Sequence, residues 1–344
     1  MKTNKSIKTK PQDNLFNLTF KNEIPLLCAF ELTSSCNLNC VHCYLSGRNS
    51  DDCLSTYQVK RVLEQLAKAG TLYLVFTGGE IFLRKDIFEL CSYARKLKFD
   101  LRLFTNATLI DEATVNRLSH LDLSGIEISL YGRKNTHDAI TRSKGSFDKT
   151  ITAIKLLKAH KIPVSIKCPV IKQNFKDMGW LKTFAKKLDI KFRLDPTISA
   201  KDNNDKSALK HRLNTKDLEH LIATMSPKLH KTKDPLEIFD ERFLCSAGKN
   251  MIGIGFDGTL FPCLGWKFGL GDIVSKSFDC IWKGEEIKRI RSLELKDIRK
   301  CSSCEIRCFC QRCPGMAMTE EGNFNLPSKI ACKIANISKN LILA

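Results

Sequence analysis

The chain has 344 residues, enough for one barrel-sized unit and a smaller one, and its 43% hydrophobic and 27% charged residues are an ordinary globular balance. Its formal charge of +19 arises from 56 Lys and Arg against 37 Asp and Glu, but the excess is Lys spread along the chain without Arg–aromatic interleaving, which argues against a nucleic-acid surface. No apolar run approaches a membrane span and the N-terminus has no apolar signal core, so the sixteen cysteines point to a reducing, cytoplasmic compartment where thiols serve metals or catalysis.

Residues 1–24 are Lys-rich and polar and read as a mobile tail. Residues 25–199 alternate between strand and helix. The apolar run from Leu26 to Leu32 reads as a buried strand that delivers the first cysteines at its C-terminal end. Ser55 is placed to cap a helix through Leu66 and Ala69, ended by Gly70. Further strands are expected at 72–77, 101–106, 125–131, 163–170 and 191–196, with helices at 86–98, 111–121, 147–160 and 178–188. Short apolar strands separated by amphipathic helices give right-handed βαβ units on a parallel sheet. Six such units predict an α/β fold, a partial (β/α)6 barrel of TIM-like type, with ligands at the strands' C-terminal ends. Residues 200–244 form a bridge, polar over 201–210, with a helix at 215–225 and punctuation by Pro227 and Pro235. Residues 245–344 form a small cysteine-rich domain, and 252–262 read as a β-hairpin turning on Asp257-Gly258.

Cys36-Asn-Leu-Asn-Cys40-Val-His-Cys43 packs three thiols into eight residues. Three thiolates can grip one metal centre, and on a [4Fe–4S] cluster they leave one iron open for chemistry. Zinc knuckles or a reduced structural triplet are the other meanings, though zinc usually takes paired C-x2-C arms. C-x3-C-x2-C just after a first strand, with His42 before the last Cys, resembles the radical S-adenosylmethionine (radical SAM) signature. One βα unit later, Gly78-Gly79-Glu80 follows a strand. Its glycines allow close backbone approach by a ligand, and its carboxylate can accept from an ammonium.

In that place Gly78, Gly79 and Glu80 resemble the family's element for the methionine amino group. Phe104-Thr105-Asn106 resembles the family's Thr-Asn turn, although the usual following Gly is Ala107 here. Ser129 in Ile126–Leu130 is expected near the ribose or the methionine carboxylate. Arg142, in the loop before the next helix, is expected to pair with that carboxylate, and His42 to face the adenine. Taken singly, each of these polar residues has a structural meaning at least as ordinary. The resemblance spans residues 26–198. It implies that the cluster's unique iron binds S-adenosylmethionine, that one electron splits it into methionine and a 5′-deoxyadenosyl radical, and that this radical takes hydrogen from a substrate. It also implies an electron donor such as flavodoxin or ferredoxin.

The C-terminal cysteines, Cys245, Cys263, Cys301-x2-Cys304-x5-Cys310-x2-Cys313 and Cys332, resemble the SPASM extension of radical SAM peptide-modifying enzymes, which binds auxiliary [4Fe–4S] clusters. By that resemblance Cys301, Cys304, Cys310 and Cys332 complete one cluster, and Cys245, Cys263 and Cys313 hold a second. The position of the second cluster's usual fourth Cys is Met251. Either one iron is open there, or Cys308 or Cys280 moves in. Structural zinc is the competing meaning of the paired arms. Cys28, Cys53, Cys91 and Cys168 read as buried or incidental thiols.

The resemblance as a whole implies an enzyme acting on a peptide or small protein, a ribosomally made precursor in particular. The alternatives are a sulfatase-activating formylglycine synthase or a haem or quinone cofactor maturation enzyme, and, from another class, a non-catalytic iron–sulfur or zinc binding module. The tail is too short for the winged-helix domain that grips leader peptides in related enzymes, so a separate recognition protein is an expected partner.

Overall fold

The structure, a computed structural model, describes residues 11–47, 53–225 and 245–343. Its framework is strand–helix alternation: β1 (Leu27–Glu31), β2 (Tyr73–Thr77), β3 (Asp100–Thr105), β4 (Gly125–Ser129), β5 (Val164–Pro169) and β6 (Lys191–Asp195) pair in parallel in sequence order. The central strands are largely apolar because helices cover one side and the barrel interior fills the other, while β3 and β6 also carry exposed Arg102, Lys191 and Arg193. Phe30, Phe76, Leu101, Leu103, Ile126 and Ile166 are fully buried. Each contributes about 2 kcal/mol of hydrophobic stabilisation.

After α1 (Pro11–Lys21), the helices joining the strands are α2 (Thr56–Lys68), α3 (Ile87–Lys96), α4 (Glu112–Ser119), α5 (Lys134–Thr141), α6 (Ser146–Ala159) and α7 (Met178–Lys187). Helix α2 shows why they form where they do. Ser55 caps it reciprocally with Gln58, and Val59, Val62, Leu63 and Leu66 make its buried stripe. In the bridge, α8 (Thr215–Met225) is present, whereas Pro227 and Pro235 lie outside the described residues.

Two expectations change. The polar tail contains α1, whose Thr19 is buried and whose Phe16 carbonyl and Thr19 hydroxyl accept from the Asn250 amide. A polar composition hid it because long-range hydrogen bonds, more than an apolar stripe, hold it down. Helix α5 stands where a loop was expected before the following helix, with Arg142 as its left-handed C-cap. The expected hairpin, β7 (Met251–Ile254) with β8 (Thr259–Phe261), forms with Gly258 at φ +89° as the Asp-Gly turn requires. Strand β7 pairs in parallel with β1, Leu27 opposite Met251, and β9 (Gly271–Asp272) follows β8, so one open sheet runs β6-β5-β4-β3-β2-β1-β7-β8-β9.

Around the last strands and after them come α9 (Phe278–Trp282), α10 (Glu285–Arg291), α11 (Arg299–Ser302), α12 (Pro314–Glu321) and α13 (Lys329–Leu343). A small core of Ala247, Trp266, Ile290 and Phe324, with Cys245 and Cys263 against it, lies beneath this part. No helix among the described residues is long and apolar enough to cross a membrane.

Candidate active site

The loop after β1 is clamped on both sides before any side chain is considered. On one side Gly79 N–H donates to the Thr33 carbonyl at 2.7 Å and Glu80 N–H to the Ser35 carbonyl at 2.8 Å. On the other, Asn39 and Val41 N–H donate to the Thr141 and Ile140 carbonyls at the end of α5. A Cβ on Gly78 would overlap the Thr33 carbonyl, and one on Gly79 the Ser35 carbonyl. The two glycines therefore admit the cysteine loop itself, and their backbone also lines the cavity described next.

Between these clamps lies a cavity of about 290 Å³ at the C-terminal ends of the strands. Cys36, Cys40, Cys43, His42, Gly78, Gly79, Asn106 and Ser129 all line it. The Cys36 sulfur accepts from Leu38 N–H at 3.4 Å and from the Asn106 amide at 3.9 Å. His42 Nδ1 is buried without a partner, and burial holds the imidazole near a pKa of about 4, so it is neutral at pH 7. Its ring meets Tyr131 edge-on at 4.9 Å, and Ser129 hydrogen-bonds the Tyr131 side chain.

Two expected contacts fall elsewhere. Glu80 is fully buried below the cavity, where its carboxylate accepts from Thr105 Oγ1 at 2.7 Å, Asn106 N–H at 2.8 Å and Phe82 N–H at 3.1 Å. It braces β2 against β3 and aims Asn106, and it has no face toward a ligand's ammonium. Arg142 is exposed and does not line the cavity. The Asp138 carboxylate accepts from Gly145 N–H, Phe147 N–H and Ser146 Oγ, which folds the chain so that Arg142 lies outside. Ala107, where the family has Gly, sits at φ +61° and fully buried. That conformation costs about 1 kcal/mol for a residue with a Cβ.

The sequence reading missed Tyr44, Tyr131, Lys167, Asp195, Thr197 and Ser199 in the lining. Lys167 carried a signal, being the one charge in the strand Val164–Pro169. Tyr44 is held from below. Its hydroxyl donates to Glu31 at 2.8 Å, and Lys267, from the C-terminal part, pairs with the same carboxylate at 2.6 Å. Glu31 is fully buried, so this three-residue link ties the cysteine loop to the segment that carries Cys263.

His137 supports Tyr131 by stacking at 5.3 Å and by accepting its N–H on Nδ1 at 3.2 Å. Burial lowers its pKa to about 4, below the unfolded value of about 6.5. The neutral imidazole thus contributes stability that is fully present above pH 6.5 and is lost as pH falls toward 4, about 3 kcal/mol in all. Urea unfolding at pH 7 and pH 4.5 will show this loss in the native chain and a smaller one in His137→Asn.

The C-terminal cysteines sort into two sets by the charges they feel. Cys245, Cys263 and Cys313 face one another, while Cys310 faces Cys301, Cys304 and Cys332. Burial pushes the Cys245 and Cys310 thiols to about 11 and Cys263 to about 12. Met316 N–H donates to the Cys313 sulfur at 3.5 Å, and neighbouring backbone N–H groups oppose the rise at Cys245 and Cys263. Cys280 is exposed, and neither it nor Cys308 is among the groups that face the set of three.

All sixteen cysteines are free of disulfides. Among the described residues no group of three metal-binding side chains converges on a single ion. A cubane differs from an ion in needing thiolates spread around it, so two sets of half-buried thiols and a three-cysteine cavity fit iron–sulfur clusters better than zinc.

Known proteins agree with this chemistry. Residues 30–184 match the Radical SAM superfamily, and residues 245–314 match the SPASM iron–sulfur cluster-binding domain. The AdoMet-dependent heme synthase of Methanosarcina barkeri is 27% identical over 87% of this chain and 94% of its own length. The sporulation killing factor maturation protein SkfB of Bacillus subtilis is 29% identical over 74% of this chain and 64% of its own. The crystal structure of Streptococcus suis SuiB bound to precursor peptide SuiA has a TM-score of 0.72 at 19% identity, covering 96% of this chain and 84% of that one.

Proposed function

Because the chain belongs to the radical SAM superfamily and carries a SPASM domain, we propose that it takes hydrogen from a peptide or small protein and so matures a ribosomally made precursor. It is an enzyme of S-adenosylmethionine and iron–sulfur clusters. When bound, these groups supply one electron and the 5′-deoxyadenosyl radical it releases. Cys36, Cys40 and Cys43 would hold the first cluster. Asn106, aimed by Glu80, would keep a donor on the Cys36 thiolate. His42 and Tyr131 would wall the cavity against water and bystander hydrogens.

The observation that carries this reading is the rigid connection between the cavity and the C-terminal part. Strand β7 extends the barrel sheet and Lys267 reaches Glu31 beneath Tyr44, so an auxiliary cluster on Cys245, Cys263 and Cys313 would stand fixed beside the substrate, where it could pass on an electron. The names of SkfB and SuiB, a maturation protein and a peptide-bound enzyme, support a peptide substrate. The reading includes a cytoplasmic setting, a flavodoxin or ferredoxin as donor and a separate leader-recognition protein.

A second reading, maturation of a haem-type cofactor, is favoured by the heme synthase match over 94% of that protein and by Lys167 in the cavity, where a cation can meet a carboxylate. The two separate in one assay. The reduced enzyme is given S-adenosylmethionine and one of three substrates: any precursor peptide encoded with it, a Cys- or Ser-containing sulfatase peptide, or an iron porphyrin bearing carboxylates. The peptide reading predicts that the precursor alone changes mass and raises 5′-deoxyadenosine about tenfold. Turnover of the porphyrin or of the sulfatase peptide instead would overturn it.

A further inference from the structure

Arg312 lies in sequence between Cys310 and Cys313, which belong to different cysteine sets. Its side chain is 7% exposed. One terminal nitrogen, Nη2, is occupied, donating to the Phe324 carbonyl and, at 2.7 Å, to the Leu326 carbonyl. The other donors, on Nε and Nη1, are buried and have no acceptor.

A buried guanidinium is expensive unless it is paired, and its usual partner is a carboxylate. Among the described residues none pairs with Arg312. The charges that face it come from cysteine thiols of both sets, Cys301 and Cys310 together with Cys245 and Cys313. Two orphaned donors between two groups of thiols call for anionic sulfur as the acceptor.

We propose that Arg312 is a positioning residue shared by both auxiliary clusters, directing its Nε and Nη1 donors at their sulfur atoms and raising both reduction potentials. The Phe324 and Leu326 carbonyls orient the guanidinium. A fixed positive charge and N–H···S bonds stabilise the more negative, reduced state of an iron–sulfur cluster, which is one of the levers a protein has on its potential. A residue serving only to staple the 323–326 turn would affect folding and leave the potentials alone. The inference depends on the cysteine sets and is independent of what the substrate is.

The test is a redox titration followed by electron paramagnetic resonance on the full chain, purified anaerobically, as wild type, R312K and R312Q. R312Q is expected to make both auxiliary clusters at least tenfold harder to reduce, a fall of about 59 mV for a one-electron couple, without moving the cluster on Cys36, Cys40 and Cys43. R312K, which keeps the charge but loses the fork, is expected to shift them less. Unchanged auxiliary potentials in R312Q with full iron content would overturn the proposal. Should R312Q lose iron, the wild type labelled with ¹⁵N-arginine decides: ¹⁵N coupling to the reduced auxiliary signals, absent in R312K, supports the proposal, and no coupling in the wild type overturns it. Wild type without auxiliary iron would instead overturn the cluster assignment itself.

Discussion

Replacing Cys36, Cys40 and Cys43 together by Ala abolishes 5′-deoxyadenosine formation and removes about four irons per chain. The loss is expected to be complete because the chemistry begins at the iron these thiolates hold, and no other described cysteine lines the cavity. The fold should survive. The loop is held by backbone bonds from Gly79 and Glu80 on one side and to Thr141 and Ile140 on the other, none of which uses a cysteine side chain. The Cys36 sulfur accepts long, weak bonds from Leu38 and Asn106, so unchanged circular dichroism and a thermal midpoint close to the native one should accompany the dead enzyme. Residual 5′-deoxyadenosine at native rates would place the first cluster elsewhere.

Glu80→Ala is expected to cost about 3 kcal/mol of stability and to lower 5′-deoxyadenosine formation as well. Its carboxylate satisfies three donors in a site closed to water, and each donor left unpaired costs about 1–3 kcal/mol. The cost arises from desolvation and is concentrated at one place, the junction of β2 and β3 that aims Asn106 at the Cys36 sulfur. Burial raises the Glu80 pKa while the Thr105, Asn106 and Phe82 bonds oppose that rise, so Glu80→Gln, which keeps an acceptor oxygen, should recover part of the stability. Urea midpoints compared with binding of S-adenosylmethionine separate this buried brace from a direct ligand contact. A direct contact predicts weakened binding at unchanged stability.

The strands of the barrel were legible because each is a short apolar run between turn residues, and parallel strands buried on both faces have no other pattern to follow. The cysteine loop was legible for a different reason, since its spacing is chemical and local. Sequence could not show what approaches Gly78 and Gly79. Close approach was readable from the residue type, but its partner, the Thr33–Ser35 backbone, is a long-range neighbour. Glu80 has the same lesson: its charge and place were visible, whereas its orientation depended on the β3 end meeting it. Arg142 was misplaced because α5 has a polar sequence whose buried residues include His137 and Thr141, giving little apolar period to read. The expectation of two cysteine sets drew on spacing and resemblance together. Their attachment to the barrel through β1 and β7 was not legible, because it joins strands more than two hundred residues apart.

The most direct measurement is iron and sulfide per chain in anaerobically purified protein, followed by 5′-deoxyadenosine after addition of dithionite and S-adenosylmethionine. The account predicts about twelve irons, four for the cavity and eight for the two auxiliary sets, with 5′-deoxyadenosine formed. About eight irons with turnover would contradict the second auxiliary cluster on Cys245, Cys263 and Cys313. Zinc in place of iron, with no 5′-deoxyadenosine, would contradict the radical chemistry altogether.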